Sequence, residues 1–365
     1  MNVGGPAVLL SELIRNLPPE NFEHILITGT CLENEIDYLD SHPLNSEVIY
    51  IHDIKRSILP LKDISSIFKL IKILRQINPD IVHTHTSKAG VLGRIAAKIA
   101  VPKAKILHTY HGHVLFGYFP KWKTSLIAYI ERFLARLTNR LIAVAVKVQN
   151  DLENAGIGNA EKWLVIRPGL EVPPALNARK CREFFGIPEE KTVICWIGRF
   201  TGIKNPLLAI KAIEALPSSL REDSVLLMVG SGELFEECHA YAIAKRLPVI
   251  FTGWINDISP VLFAGDILLM TSTNEGMPVV IVEAALRGLP TVSTNVGGVS
   301  EFIKDGVTGW LINQPETELA SVLKLVEDKG LYKKICDSSL KSARENYEIG
   351  RMVTDHLALY RSILL

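Results

Sequence analysis

Cysteine is scarce and scattered in this chain: Cys31, Cys181, Cys195, Cys238 and Cys336 make an odd total with no C-x-x-C pair. That excludes a disulfide framework and a zinc-ribbon pattern, and it implies reduced thiols in a cytoplasmic setting. No apolar run approaches the roughly 18–20 residues a spanning helix needs, although 48% of the residues are hydrophobic. No signal-peptide pattern precedes the first helical stretch. Neither sign of charge dominates, with 40 basic against 39 acidic residues, so no electrostatic footprint marks nucleic acid as a main partner. Asp-x-Asp is absent, and with it the obvious carboxylate anchor for a divalent metal. Low-complexity tracts and short repeats are absent too.

What is present is a repeated alternation of short apolar runs with helical patterns, which predicts a doubly wound α/β architecture. Strands are expected at 24–28, 47–51, 81–85, 106–110, 141–145 and 163–166. A second set is expected at 193–197, 225–229, 249–252, 267–271, 291–294 and 310–312. Two sets in 365 residues imply two domains, each large enough for its own core. The linker falls in Pro-Gly-Leu-Glu-Val-Pro-Pro at 168–174, where the periodicity breaks. The expected division is 1–170 with a closing helix at 347–365, and 171–346. The closing helix carries Met352, Val353, Leu357, Tyr360 and Ile363 at helical spacing.

The most informative stretch is 274–290, Asn-Glu-Gly-Met-Pro-Val-Val-Ile-Val-Glu-Ala-Ala-Leu-Arg-Gly-Leu-Pro. Pro278 suits a first helical position, and Gly288 before Pro290 is a stop signal, so Glu275 lies in a strand-to-helix loop and Glu283 within the helix. The helix is apolar nearly all round, and a buried Glu needs a partner. A pair between Glu283 and Arg287 one turn on would supply one without any function. Asn295-Val296-Gly297-Gly298 then opens a further short helix, where bare backbone N–H groups and the helix dipole favour an anion.

Glu275-Gly276-x-Pro278, Glu283-Ala284, Gly288-x-Pro290 and Gly297-Gly298 together resemble the EX7E signature of the retaining nucleotide-sugar glycosyltransferases of family 4. The resemblance covers essentially the whole chain. It implies the GT-B fold, two Rossmann-like domains facing a cleft, the first on the acceptor side and the second binding the nucleotide sugar. It implies that Gly198, Arg199 and Lys204 hold the donor diphosphate, that Glu283 accepts from the ribose hydroxyls, and that Glu275 contacts the donor sugar. An Arg fork and a Lys point charge both suit pyrophosphate, and a cation on the leaving group stabilises charge that grows in the transition state. Gly232, in Gly230-Ser231-Gly232-Glu233, and Ile255, in Phe251-Thr252-Gly253-Trp254-Ile255, resemble the segments near the base. His111, in Tyr110-His111-Gly112-His113, matches the histidine that reaches the transferred sugar. No metal or other cofactor is implied; UDP is the expected nucleotide, with GDP the alternative. The leaving phosphate itself is expected to deprotonate the acceptor, a glycan or lipid-linked sugar of bacterial surface-polysaccharide or glycolipid synthesis.

His83-Thr84-His85 raises a metal-dependent hydrolase as a rival, because alternate strand residues share a face. No acidic and histidine set completes such a site. A nucleotide-sugar epimerase of the same fold is a second rival. The segment 121–141 reads as an amphipathic helix whose Trp122, Leu126, Ile130, Phe133, Leu137 and Leu141 are expected to pack inward, with Arg132, Arg136 and Arg140 as a solvated stripe. Phe116-Gly117-Tyr118-Phe119-Pro120-Lys121-Trp122-Lys123 mixes aromatics with cations, which suits contact with the inner face of the cytoplasmic membrane through 116–141.

At the start, Met1-Asn2-Val3-Gly4-Gly5-Pro6 leads straight into a helix. In the family that glycine pair, Gly4-Gly5, follows a first β-strand and lies against the donor phosphates. Without that strand the first-domain sheet is expected to show an unfilled central position or to close up around it. An upstream start, or a truncated and inactive donor-binding relative, are the two expectations this raises.

Overall fold

Parallel strands covered on both faces must be apolar along their length. Val-Ile-Cys-Trp-Ile and Val-Leu-Leu-Met-Val, with nothing charged between their ends, accordingly lie inside a sheet. The computed structural model describes the chain except residues 32–35, 56, 58, 114 and 116–119. The chain divides into two compact units, Met1–Leu170 with Glu348–Leu365, and Glu171–Tyr347.

The first unit holds β1 (Ile25–Gly29), β2 (Glu47–Ile51), β3 (Ile81–His85), β4 (Lys105–Tyr110), β5 (Arg140–Ala143) and β6 (Trp163–Val165), all paired in parallel. The pairing is interrupted: β1–β2 form a two-stranded sheet, and β3–β4–β5–β6 a four-stranded one. Both pieces share one core, in which Ile51 and Ile27 meet Leu70, Leu74, Leu92 and Ile106. Residues 1–5 form no regular strand. Asn2 makes an isolated bridge to Asp37, and Gly4 caps the helix Gly5–Asn16, its carbonyl accepting from the Ala7 and Val8 amides. The interruption matches the unfilled position expected in this sheet. The closing helix Ile349–Leu364 is tied to the first unit, with the Ile349 amide donating to the Leu170 carbonyl at 2.9 Å.

The second unit holds β7 (Thr192–Ile197), β8 (Ser224–Val229), β9 (Val249–Gly253), β10 (Ile267–Met270), β11 (Thr291–Thr294) and β12 (Gly309–Ile312) in one six-stranded parallel sheet, ordered β12-β11-β10-β7-β8-β9. The strands step outward from β7 in one direction and from β10 in the other. The reversal lies between β7 and β10, where a doubly wound sheet opens a crevice at the carboxyl ends of its strands. Trp196, Phe200, Ile210, Met228, Leu269 and Trp310 fill the core behind it.

One helix differs from the sequence expectation. It runs Lys121–Leu137, after which Arg140 begins β5, and it buries Ala128, Glu131, Leu134 and Ala135. Trp122, Leu126, Ile130 and Phe133, expected to pack inward, are exposed. The cause is a buried ion pair: Arg94, fully buried on the helix Ser87–Ala100, donates to both Glu131 oxygens at 3.0 and 2.8 Å. Tyr110 adds a third bond to Glu131 at 2.7 Å. A buried carboxylate left unpaired would be costly, so this pair fixes which face turns inward.

Candidate active site

The loop after β7 and the loop after β10 flank the reversal point, and each delivers one charged residue. Lys204 comes from the first and Glu275 from the second, and their side chains meet at 2.5 Å. The two loops are stitched together by backbone and hydroxyl bonds. The Thr273 amide donates to the Ile203 carbonyl at 2.8 Å, and Thr271 Oγ1 donates to the Asn205 carbonyl at 2.8 Å while accepting from the Trp196 indole at 3.1 Å. Asn205 closes the Lys204 loop in the left-handed region, φ 50°, which Asn tolerates better than most residues. Lys204 carries three N–H donors, so one bond to Glu275 leaves donors for an anion.

Gly297 lies against the same loop. Its φ is +53°, and a β-carbon there would sit 1.7 Å from the Glu275 carbonyl oxygen. The Gly298 amide donates to the Gly276 carbonyl at 3.0 Å. This corrects the expectation that both amides face an anion: the Gly298 N–H holds its loop to the Glu275 loop, and the helix that follows, Val299–Phe302, is a single turn.

Glu283 lies one turn into the helix Val279–Ala285 and is half-buried. Arg287 donates to the Glu283 backbone carbonyl at 2.7 Å and to Ser259 Oγ at 2.8 Å. Burial lowers the Arg287 pKa, and the nearby Glu283 and Asp257 charges oppose that shift. On the other side of the crevice, Gly198 follows β7 and its amide bonds to the Val229 carbonyl at 3.0 Å. A β-carbon at Gly232 would meet the Phe200 backbone at 2.5 Å. Arg199, exposed, and Ile255, just past β9, lie in the loops of this same rim. The second unit therefore gathers Gly198, Arg199, Lys204, Gly232, Ile255, Glu275, Glu283 and Gly297 in loops and helix starts at the carboxyl ends of its strands.

In the first unit, β3 and β4 end in His85 and, one residue past the strand, His111. His85 Nδ1 and His111 Nε2 share a hydrogen bond at 3.0 Å. His111 Nδ1 is buried and has no partner. Burial, with His356 nearby, lowers the His111 pKa to about 4, so the ring is neutral at pH 7. The His83 ring stands 4.3 Å from that of His85 but both its nitrogens are taken, by Tyr360 Oη and Thr109 Oγ1, each at 2.8 Å. Among the described residues no group of three or more His, Cys, Asp or Glu is placed to hold a metal ion. Thr86, directly after β3, has φ 63°, a strained conformation for a β-branched residue.

Residues 3–172 match Glycosyltransferase Family 4, and residues 177–342 match Glycosyl transferases group 1. An Escherichia coli protein, UDP-Gal:alpha-D-GlcNAc-diphosphoundecaprenol alpha-1,3-galactosyltransferase, is 33% identical over 330 residues, 86% of this chain and 83% of the relative. The chain belongs to glycosyltransferase family 4. The N-acetyl-alpha-D-glucosaminyl L-malate synthase of Bacillus anthracis is 23% identical over 389 residues, covering 100% of this glycosyltransferase and 95% of that enzyme. The crystal structure of Anabaena HepE in complex with UDP-glucose superposes with a TM-score of 0.82 at 23% identity, over 99% of this chain and 97% of that one, and shares the GT-B fold.

Two features of the glycosyltransferase escape a reading of its sequence. The Lys204–Glu275 contact joins residues 71 apart, and no local pattern announces it. The strain at Thr86 has no sequence signal beyond its place between a strand and a helix. Residues 116–119 lie outside the described residues.

Proposed function

We propose that this glycosyltransferase moves a sugar from a UDP-sugar to an acceptor hydroxyl with retention of configuration. The observation that carries the reading is the Lys204–Glu275 pair at the reversal point of the second sheet. A cation and a carboxylate in contact suit a diphosphate bonded to a sugar: the ammonium faces the phosphate and the carboxylate accepts from sugar hydroxyls. Arg199 adds a second cation, so the leaving diphosphate is neutralised without a divalent metal. Glu283 binds the ribose, and Gly232 and Ile255 border the base. Gly4, Gly5 and His111 belong to the acceptor-side unit, where the partnerless His111 Nδ1 bonds a hydroxyl of the transferred sugar. The leaving phosphate takes the acceptor proton, so no side-chain base is required. The acceptor is a glycan or lipid-linked sugar of surface-polysaccharide or glycolipid synthesis; the E. coli relative, named for a UDP-Gal donor and a diphosphoundecaprenol-linked acceptor, supports a UDP-sugar donor and a lipid-linked acceptor.

A thermal-shift screen of nucleotides and nucleotide sugars tests the donor, since mass action raises Tm only for what binds the folded chain. UDP and at least one UDP-sugar are expected to raise Tm, GDP not. With that donor and a lipid-linked sugar, NMR of the product should show the donor's anomeric configuration kept. Inversion, or free UDP with an epimerised sugar and no glycosidic product, would overturn the reading.

A further inference from the structure

Three imidazoles stand in a row at the end of β3 and β4, where alternate strand residues share a face. His83 and His85 come from β3, His85 pairs in register with Thr109 of β4, and His111 follows two residues after Thr109. The His85 ring lies between the other two, its centre 4.3 Å from that of His83 and 5.3 Å from that of His111. His83 is held from two sides, by Tyr360 Oη of the closing helix and by Thr109 Oγ1. It therefore serves as a wall, and His85 Nδ1 is left to face His111 Nε2 at 3.0 Å.

The backbone is strained at the same point. Thr86, the next residue, has φ 63° and ψ 161°, a combination almost confined to glycine. Its side chain makes no capping bond to the helix Ser87–Ala100 that follows, so capping does not explain the strain. Such a conformation persists only where its surroundings dictate it. What precedes it is the ring whose place against His111 depends on where β3 ends.

Burial and the neighbouring imidazoles hold His85 well below the usual imidazole pKa, and burial lowers His111 to about 4, so both rings are neutral at pH 7. A hydrogen bond between two neutral imidazole nitrogens carries a single hydrogen: one ring donates and the other accepts. If His85 donated, His111 would carry its own hydrogen on Nδ1. That atom is buried and has no partner, and a buried N–H without an acceptor is the rarer kind of orphan. The hydrogen therefore belongs on His111 Nε2, with His85 Nδ1 accepting it.

We propose that His85 is a positioning residue that fixes His111 in the Nε2–H tautomer, so that the bare Nδ1 is presented as an acceptor to a hydroxyl of the transferred sugar. The inference deepens the donor reading and rests on its assignment of His111 to that sugar. The opposite tautomer would present a donor there, and a ring with no partner at Nε2 would be free to turn.

The test is nitrogen-15 NMR of the intact protein, labelled at histidine, at pH 7 and without donor, since bare and protonated ring nitrogens resonate far apart. His111 is assigned by the signals missing from His111→Gln. The parent is expected to show Nδ1 bare and Nε2 protonated, and a protonated Nδ1 overturns the proposal. In His85→Leu the two His111 resonances should move toward each other as the tautomers mix. In His85→Asn, whose side-chain oxygen can accept in place of Nδ1, they should return. Turnover should follow the same order: His85→Leu lowers kcat with the UDP-sugar by about fivefold to tenfold, the size of one neutral hydrogen bond, while UDP affinity and the melting curve persist, and His85→Asn regains most of that loss. Unmoved His111 resonances in His85→Leu, or a loss of kcat that His85→Asn does not repair, overturn the proposal. The parent spectrum decides the matter if His85→Leu fails to fold. Failure of the underlying sugar assignment shows separately, as parent-level turnover in His111→Gln with the expected spectra intact.

Discussion

Lys204 and Glu275 touch before any donor arrives, so the two side chains are expected to act as one unit. On the proposed donor geometry Lys204→Ala removes a cation from the leaving diphosphate, and it strands Glu275, whose side chain is only 11% exposed. A loss of roughly 10²–10³-fold in kcat is expected, the size seen when one preorganised charge contact to a transition state is removed. Adding Glu275→Gln should cost much less than the product of the two single losses, because contacting residues are not additive. Initial rates of the four proteins decide it: strictly multiplicative losses would show that the two side chains act independently, and near-parent rates in both single variants would remove the catalytic role. Glu283 separates from both. Arg287 holds the backbone carbonyl of Glu283, so Glu283→Gln leaves that helix bond intact and isolates the carboxylate. UDP affinity is expected to fall about tenfold, close to 1.4 kcal/mol, whereas Glu275→Gln should leave UDP binding nearly unchanged and weaken only the intact donor. Calorimetry with UDP and UDP-sugar on both variants checks this. Unchanged UDP affinity in Glu283→Gln would remove the ribose assignment.

Between residues and the whole, the loops after β7, β10 and β11 are held by backbone contacts that only glycine allows. Gly297 combines a positive φ with a β-carbon position 1.7 Å from the Glu275 carbonyl oxygen. Gly297→Ala must therefore displace the Glu275 loop, and donor binding is expected to weaken by at least about tenfold with a Tm lower by a few degrees. Gly202, in the Lys204 loop, has open space and no positive φ. Gly202→Ala should be tolerated in both readouts, and equal damage from the two would mean that loop crowding is not what Gly297 relieves. The strands were legible because burial on both faces demands continuous apolar runs, and all twelve lie within a few residues of where the sequence puts them. The carboxylate spacing was legible because strand, loop and helix follow one another locally from 267 to 285. The orientation of the helix Lys121–Leu137 was not, because apolar spacing predicts a buried stripe and a pair between Arg94 and Glu131, 37 residues apart, overrides it. The Gly298 amide was misread for the same reason, its partner being set by a loop from another strand.

At the scale of the molecule, the two units differ in how they meet acid. Every histidine except His239 lies in the first unit. His83, His85 and His108 are held well below the usual imidazole pKa by burial and by one another. Burial lowers His111 and His356 to about 4. The rings of His83 and His85 stand 4.3 Å apart, with His356 from the closing helix 6.0 Å from His83, so a proton on any of them puts charge in a crowded, dry cluster. The unfolded chain binds those protons near pH 6.5, and the folded unit refuses them until about pH 4. Between these values the unfolded state carries more protons, so stability of the first unit is full above pH 6.5 and falls as pH drops toward 4. The second unit runs the other way at Asp266. Burial raises that carboxyl pKa, so stability tied to it is lost as pH rises through its folded value and is regained on acidification. Hydrogen exchange at pH 7, 5.5 and 4.5, corrected for the intrinsic pH dependence of exchange, should show β3, β4 and the closing helix losing protection first, while β7, β8 and β10 keep theirs. The corresponding melting transition should drop by at least about 5 °C, since each kcal/mol moves Tm by about 2–4 °C in a unit of this size. Loss of protection in the second sheet first would show that the buried imidazoles do not govern acid stability.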